Sequence, residues 1–227
     1  INLLGLLNIA EAAVEVGTQK LLFVSSGGVV YGEPGQIPTP EIAEKRPLSP
    51  YGVTKLCGEL YLGYYLHVYG MEYVALRYSN VFGPRQDPHG EAGVVAIFCT
   101  RILNGQELTI FGDGEQTRDY VYVKDVVAAN MLASNADMGE GTGLDSRAFN
   151  VGSGVGTSVL QLADALERVA EATCSRSHLP EREGELKHST LDSGLIQSRG
   201  WSPTYTLEEG LRETYDHIVK QRARATE

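Results

Sequence analysis

Two apolar runs, KLLFVSS at residues 20–26 and EYVALRYSNVFGP at 72–84, constrain the fold of this chain more than any other feature. The first is short and ends in two small residues. The second carries its own exit loop. Neither shows the in–out alternation of a half-exposed strand, so each fits a strand covered on both faces. Each also follows a helical stretch. In residues 2–16, apolar side chains recur at Leu3, Leu4, Leu7, Ala10 and Val14, and Gly17 stops them. Residues 49–69 open with Ser49 as a cap and Pro50 in the first turn, and stop at Gly70. Helix, strand, helix, strand is the order of an α/β fold with a parallel sheet. Ligands in such folds lie beyond the carboxyl ends of the strands. Ser25, Ser26, Asn80 and residues 151–154 fall at or just past such ends.

Residues 27–50 read as a long loop rich in Gly and Pro. After Pro84 a polar loop at 86–93 leads to a helix over 94–104 and a short strand and turn at 107–114. A strand passes into a helix over 118–133. RAFNVGSG is a strand ending in glycines, Thr157 or Ser158 caps a helix running to about Ala172, and the tail holds an amphipathic helix. The expected division is a sheet domain over 1–84 and a smaller lobe over most of 85–227, with 118–133 and 147–172 returning towards the sheet.

The charge balance narrows the partners. With 19 basic and 29 acidic residues, a formal charge of -10 and no Lys/Arg block, neither a nucleic acid nor an anionic membrane is expected. No apolar run reaches membrane-spanning length. Cys57, Cys99 and Cys174 have no metal spacing and form no disulfide framework, which fits a reducing, cytoplasmic setting.

Tyr51 and Lys55, in SPYGVTK, stand four apart on one helix face. A free phenol has a pKa near 10 and is a poor base at neutral pH. A cationic neighbour favours the phenolate. Such a pair can take a proton from a sugar or alcohol hydroxyl as hydride leaves carbon. The spacing alone arises by chance in many helices, so a packed ring and a solvated lysine remain the plain alternative. Arg118 and Arg182 have a plain alternative too: Arg118 pairing with Asp119 or Asp125, and Arg182 with a local Glu.

SSGGVVYGE (25–33), SPYGVTKLCGE (49–59), RYSNVFGPRQ (77–86) and RDYVYVKDV (118–126) together resemble, in order, the extended short-chain dehydrogenase/reductase family, and within it the NAD-dependent nucleotide-sugar epimerases and dehydratases. The resemblance covers nearly the whole chain. It implies a Rossmann-type parallel sheet with a small α/β substrate-binding lobe, and NAD as the cofactor. Tyr51 matches the catalytic base and Lys55 its partner, which also holds a cofactor ribose. Ser25 and Tyr78 match the cofactor side. Asn80 lines the cofactor and sugar site. Thr109 and Phe111 match the stretch around a uracil ring, Arg118 and Arg182 the two arginines on a diphosphate, and Glu185 an acidic position near the nucleotide ribose, usually Asp. The substrate implied is a UDP-sugar, with a homodimer formed through the helices at 2–16 and 49–69.

The chain departs from the family pattern in three places. A Ser or Thr is usual four residues before the tyrosine of VYG, and here that position is Gly27; Ser26 or water takes over the hydroxyl's work. Ser25 and Ser26 also fit a strand end whose hydroxyls satisfy backbone groups. The next two positions, Asp-Glu in the dehydratases, are Gly28 and Val29, which move no protons. That disfavours dehydration and decarboxylation and leaves epimerisation at C4 of a UDP-hexose through a 4-keto intermediate. The rivals are an inactive nucleotide-sugar-binding fragment and an epimerase or reductase for another nucleotide sugar. Third, no G-x-x-G-x-x-G turn precedes Ile1. The expectation is an incomplete sheet whose first strands, with the N-terminal cofactor-binding portion, are absent.

Overall fold

The strands from both apolar runs lie side by side in a parallel sheet. The computed structural model describes residues 2–88, 93–182, 184 and 186–225. In chain order its elements are α1 (Asn2–Glu15), β1 (Lys20–Ser26), α2 (Gly27–Val30), α3 (Pro50–Tyr69), β2 (Glu72–Tyr78) and β3 (Asn80–Phe82). Then come α4 (Val94–Leu103), β4 (Leu108–Phe111), β5 (Thr117–Tyr122), α5 (Val123–Asn135) and, after a 3-10 turn at Leu144–Arg147, β6 (Ala148–Val151). The chain ends with β7 (Gly156–Ser158), α6 (Val159–Ala170), β8 (Arg176–Leu179), β9 (His188–Ser189), α7 (Gly194–Gln197) and α8 (Leu207–Ala225). This is an α/β fold with Rossmann-like parallel sheets. One sheet has the order β1-β2-β6, and both pairings are parallel. A second joins β3 in parallel and β7 in antiparallel to β5, which also takes β9. β4 and β8 form a parallel pair.

β2 shows why its run is almost unbroken. Side chains on a strand alternate between faces. Tyr73 and Ala75 pack against Leu6, Ala10 and Ala13 of α1 and Leu62 and Tyr65 of α3. Val74 and Leu76 pack on the other face with Val126, Ala129 and Ala133 of α5, Phe149 and Trp201. Parity then sends Arg77 towards α3 and Tyr78 towards α5. A separate core, with Phe98, Ile102, Leu108, Leu162, Leu166 and Leu211, gathers α4, α6 and α8 around β4 and β5.

Local chemistry sets the helix ends. Ser49 Oγ accepts the Gly52 amide at 3.1 Å, and Gly70 closes α3 in the left-handed region at φ 67°. Ser158, rather than Thr157, caps α6: its Oγ accepts the Gln161 amide while Gln161 Oε1 accepts its own, a reciprocal capping box. Two features differ from expectation. Residues 27–30, read as loop, form the one-turn α2. The exit loop after β2 is a strand of another sheet, with only Ser79 between them. Ser79 still donates its amide to Val151 O at 2.9 Å, and the chain turns into β3 at the next residue.

Candidate active site

α3 starts beyond the carboxyl end of β1 and packs back along it, so its first turns meet the strand's last residues. The Tyr51 and Ser26 side chains are neighbours on one cavity, and the Ser26 hydroxyl favours the Tyr51 phenolate. Lys55 Nζ donates to Val24 O at 2.7 Å and lies 5.5 Å from the Tyr51 ring centre. Ser26 is thus a hydroxyl beside Tyr51, next in sequence to Gly27, which has none. Gly27 itself is packed under Leu191, whose Cδ1 lies 2.5 Å from where a Cβ would stand, so serine has no room there.

Tyr51 opens on a cavity of about 420 Å³ shared with Ser26, Gly28, Val29, Ser79, Asn80 and Arg118. A second cavity of about 510 Å³ takes in Asn80, Arg101, Thr109, Phe111, Arg118, Tyr120 and Arg182. Asn80 and Arg118 border both. Ser26, Tyr51, Asn80, Thr109, Phe111, Arg118 and Arg182 thus gather along one pair of adjoining hollows, with Lys55 behind Tyr51. The Arg182 guanidinium stacks on Phe111 at 3.9 Å from the ring centre. Arg118 Nη1 donates to Thr117 O at 2.8 Å.

Other expected residues do not reach these hollows. Ser25 is buried and donates to Glu59 Oε1 at 2.5 Å. The Tyr78 hydroxyl meets the Asn130 side-chain amide on the opposite face of the sheet, as its parity dictates. Glu185 lies outside the described residues. Arg101 was not foreseen: it donates to Thr109 Oγ1 at 2.6 Å and Glu107 O at 2.8 Å, and no spacing in the sequence marks it.

The electrostatics also differ from expectation. Burial pushes the Tyr51 phenol above its ordinary value, with the Ser26 hydroxyl opposing it. Burial lowers Lys55, whose ammonium is turned to a backbone carbonyl. Desolvation is the largest influence on both groups, and the opposing help to the phenolate comes from Ser26. Among the described residues, no group of His, Cys, Asp and Glu is placed to hold a metal ion.

Fold and site together define a Rossmann-like α/β protein with a Tyr–Lys helix at the carboxyl end of its sheet and arginines across the cleft. The chain belongs to the NAD dependent epimerase/dehydratase family, whose model matches residues 1–152. It is 44% identical over 212 residues to a putative UDP-glucose 4-epimerase of Methanocaldococcus jannaschii, covering 93% of this chain and 67% of that protein. It is 42% identical over 217 residues to the UDP-glucose 4-epimerase of Mycolicibacterium smegmatis, covering 95% and 67%. The chain thus spans about two thirds of the length of these relatives. Among solved structures, the UDP-glucose 4-epimerase of Thermotoga maritima with UDP-glucose superposes at a TM-score of 0.92 and 44% identity, over 97% of this chain and 70% of that one. The Thermus thermophilus UDP-glucose 4-epimerase in complex with NAD gives 0.89 and 42%, over 96% and 70%.

These matches correct one expectation. The expected absence of an N-terminal cofactor-binding portion rests on a chain that opens within a helix, on the missing glycine turn and on the missing acidic residue for the adenosine ribose. The NAD-dependent family's model takes in the chain from its first residue, through both sheet strands and the Tyr51–Lys55 helix, to residue 152. NAD is the cofactor of this family.

Proposed function

We propose that this chain serves NAD-dependent epimerisation at C4 of a UDP-hexose through a 4-keto intermediate. The observation that carries this reading is the placement of Tyr51, beside Ser26 and flanked by Lys55, at one end of a cleft with Arg118 at its middle and Arg182 at its other end. The residues present fit the nicotinamide-ribose end of NAD. Gly28 presents no side chain to the cavity, and a Cβ there would stand 3.8 Å from Asn80 Oδ1 and 4.0 Å from Ser26 Oγ. Tyr51 and Lys55 would hold that end, with Lys55 Nζ as donor to a ribose hydroxyl. When bound, NAD supplies the cationic hydride acceptor.

Tyr51 takes the proton from the sugar O4 and later returns it, acting as base and then acid. Ser26 stands beside Tyr51 and steers O4 towards it. Arg118 and Arg182 hold the diphosphate, whose oxygens match guanidinium forks. Thr109 and Phe111 border the base. With its hydroxyl oxygen accepting from Arg101, Thr109 has its proton left to donate to a carbonyl of a pyrimidine. Gly28 and Val29 offer no second acid, which supports epimerisation over dehydration. Residues 85–227, apart from the segments near 118–133 and 147–172, form the substrate-binding lobe in this reading.

Arg182→Ala is expected to weaken UDP binding by roughly 10- to 100-fold, the range of a lost charged hydrogen bond. Isothermal titration with UDP checks it; unchanged affinity removes Arg182 from the diphosphate site.

The same proposal includes a homodimer through α1 and α3. It is supported by Leu4, Ile9, Leu60, Tyr61, Tyr64 and Val68, all exposed along these two helices. Leu60→Glu with Tyr64→Glu is expected to halve the mass found by light scattering; a variant of unchanged mass places the contact elsewhere. No described helix is long and apolar enough to cross a membrane. A cytoplasmic setting rests on Cys57, Cys99 and Cys174, all free thiols.

A further inference from the structure

Tyr51, Lys55 and Glu59 stand at successive i, i+4 positions of α3, one above the next on a single face. Each meets one of three consecutive residues of β1. Tyr51 neighbours Ser26 on the cavity wall, Lys55 donates to Val24 O, and Glu59 accepts from Ser25. The first two contacts belong to the reacting end of the cleft. The third is sealed in the interior, where Glu59 and Arg77 are both 0% exposed.

Arg77 grips the same carboxylate as a fork, Nε to Oε1 at 3.0 Å and Nη2 to Oε2 at 2.6 Å. Ser25 and Arg77 are register partners on neighbouring strands. Both face α3, so two strands of the sheet donate to one carboxylate of the helix. Arg77 also donates to the Tyr31 hydroxyl at 3.0 Å, Glu41 O at 3.1 Å and Asp145 Oδ1 at 3.0 Å, tying in the turn after α2, the following loop and the 3-10 turn. Proton transfer at the sugar makes no use of Glu59. A buried ion pair is also weak as a source of stability compared with apolar packing. What the arrangement does fix is where α3 lies along β1.

We propose that Ser25, Glu59 and Arg77 are positioning residues, locking the register of α3 on β1 so that Tyr51 stays beside Ser26 and Lys55 stays on the Val24 carbonyl. A carboxylate held from two strands sets both the slide and the rotation of the helix. The inference deepens the reading above and rests on Tyr51 as the proton-transfer group.

Ser25→Ala in the full chain tests it, because that change leaves every charge and the Arg77–Glu59 pair in place. Ser25→Thr keeps the hydroxyl. Two quantities are read: kcat and KM on UDP-glucose with NAD, and the ionisation midpoint of Tyr51. The midpoint comes from the phenolate absorbance difference between each protein and its Tyr51→Phe counterpart. The charged groups around Tyr51, Lys55 beside it and Arg118 across the cavity, are unaltered in all of them. Ser25→Ala is expected to lower kcat by about 10-fold with KM within about twofold, since a slip well under 1 Å suffices for such a loss. The Tyr51 midpoint is expected to rise by about half a pH unit as the phenol draws away from Ser26 on β1, whose hydroxyl favours the phenolate. Ser25→Thr is expected to restore both. A purely structural role gives a lower unfolding midpoint with kcat per folded molecule and Tyr51 ionisation unchanged, and that result overturns the proposal. A KM that rises in step with the loss of kcat overturns it too. Should the unaltered chain fail to turn over UDP-glucose, the proposed function falls, while the Tyr51 midpoint still decides this inference.

Discussion

Tyr51→Phe is expected to cut kcat for C4 epimerisation by roughly 100- to 10,000-fold, the range of a lost general acid–base group. UDP affinity should stay within about twofold, because the base and diphosphate contacts lie across Asn80 and Arg118 in the second cavity. Tyr51 is 46% exposed, so removing one hydroxyl leaves the fold intact. The hydroxyl's described polar neighbour is Ser26. Loss of turnover with retained UDP binding separates proton transfer from substrate binding. Retained turnover would assign the proton to another group, and Ser26 is then the nearest hydroxyl.

The second large effect falls on stability. Arg77→Met should cost about 3–5 kcal/mol, the range for removing one partner of a buried ion pair. The loss has named components. The Glu59 carboxylate is left charged in the interior with Ser25 as its remaining donor, and Glu41 O, Asp145 and the Tyr31 hydroxyl each lose a partner. Burial already holds the Tyr31 phenol well above its ordinary range, with the Arg77 charge opposing it. Urea unfolding of the single variant beside an Arg77→Met, Glu59→Met double variant reads the effect. The double variant should recover much of the loss, because no orphaned charge remains. A single-variant cost below about 1 kcal/mol would mean that water reaches Glu59 once the guanidinium is gone.

How far the sequence could be read depended on whether a feature was local. Tyr51 and Lys55 are four residues apart on one helix, so their adjacency follows from helical geometry. The apolar runs of β1 and β2 announce coverage on both faces; β2, the central strand, is covered, whereas β1 lies at the sheet edge with most of its side chains half-buried and Val24 exposed. Tyr78 and Ser25 were misplaced for a readable reason. Once Tyr73 and Ala75 are assigned to the α3 face, parity puts Arg77 there and Tyr78 opposite, and the β1 register brings Ser25 to Arg77. The missing hydroxyl at Gly27 was visible, but its cause was not, because Leu191 comes from more than 160 residues further along the chain. Arg101 escaped notice for a similar reason: only the packing of α4 beside β4 brings it to Thr109.

Ser79 has a mechanical consequence. It is the sole residue between β2, in the sheet that carries the Tyr51 helix, and β3, paired with the strand that carries Arg118. The two walls of the cleft are therefore successive spans of one taut segment, pinned at the joint by the Ser79 amide on Val151. Just beside it the Asp119 carboxylate takes amides from Ser153, Gly154 and Leu191. The wall that carries the Tyr51 helix and the wall that carries Arg118 are thus coupled like two leaves on one pin, with a single residue rather than a linker between them. On the proposed function, the gap between the proton-transfer end and the diphosphate end is the distance between two neighbouring strands of one continuous segment.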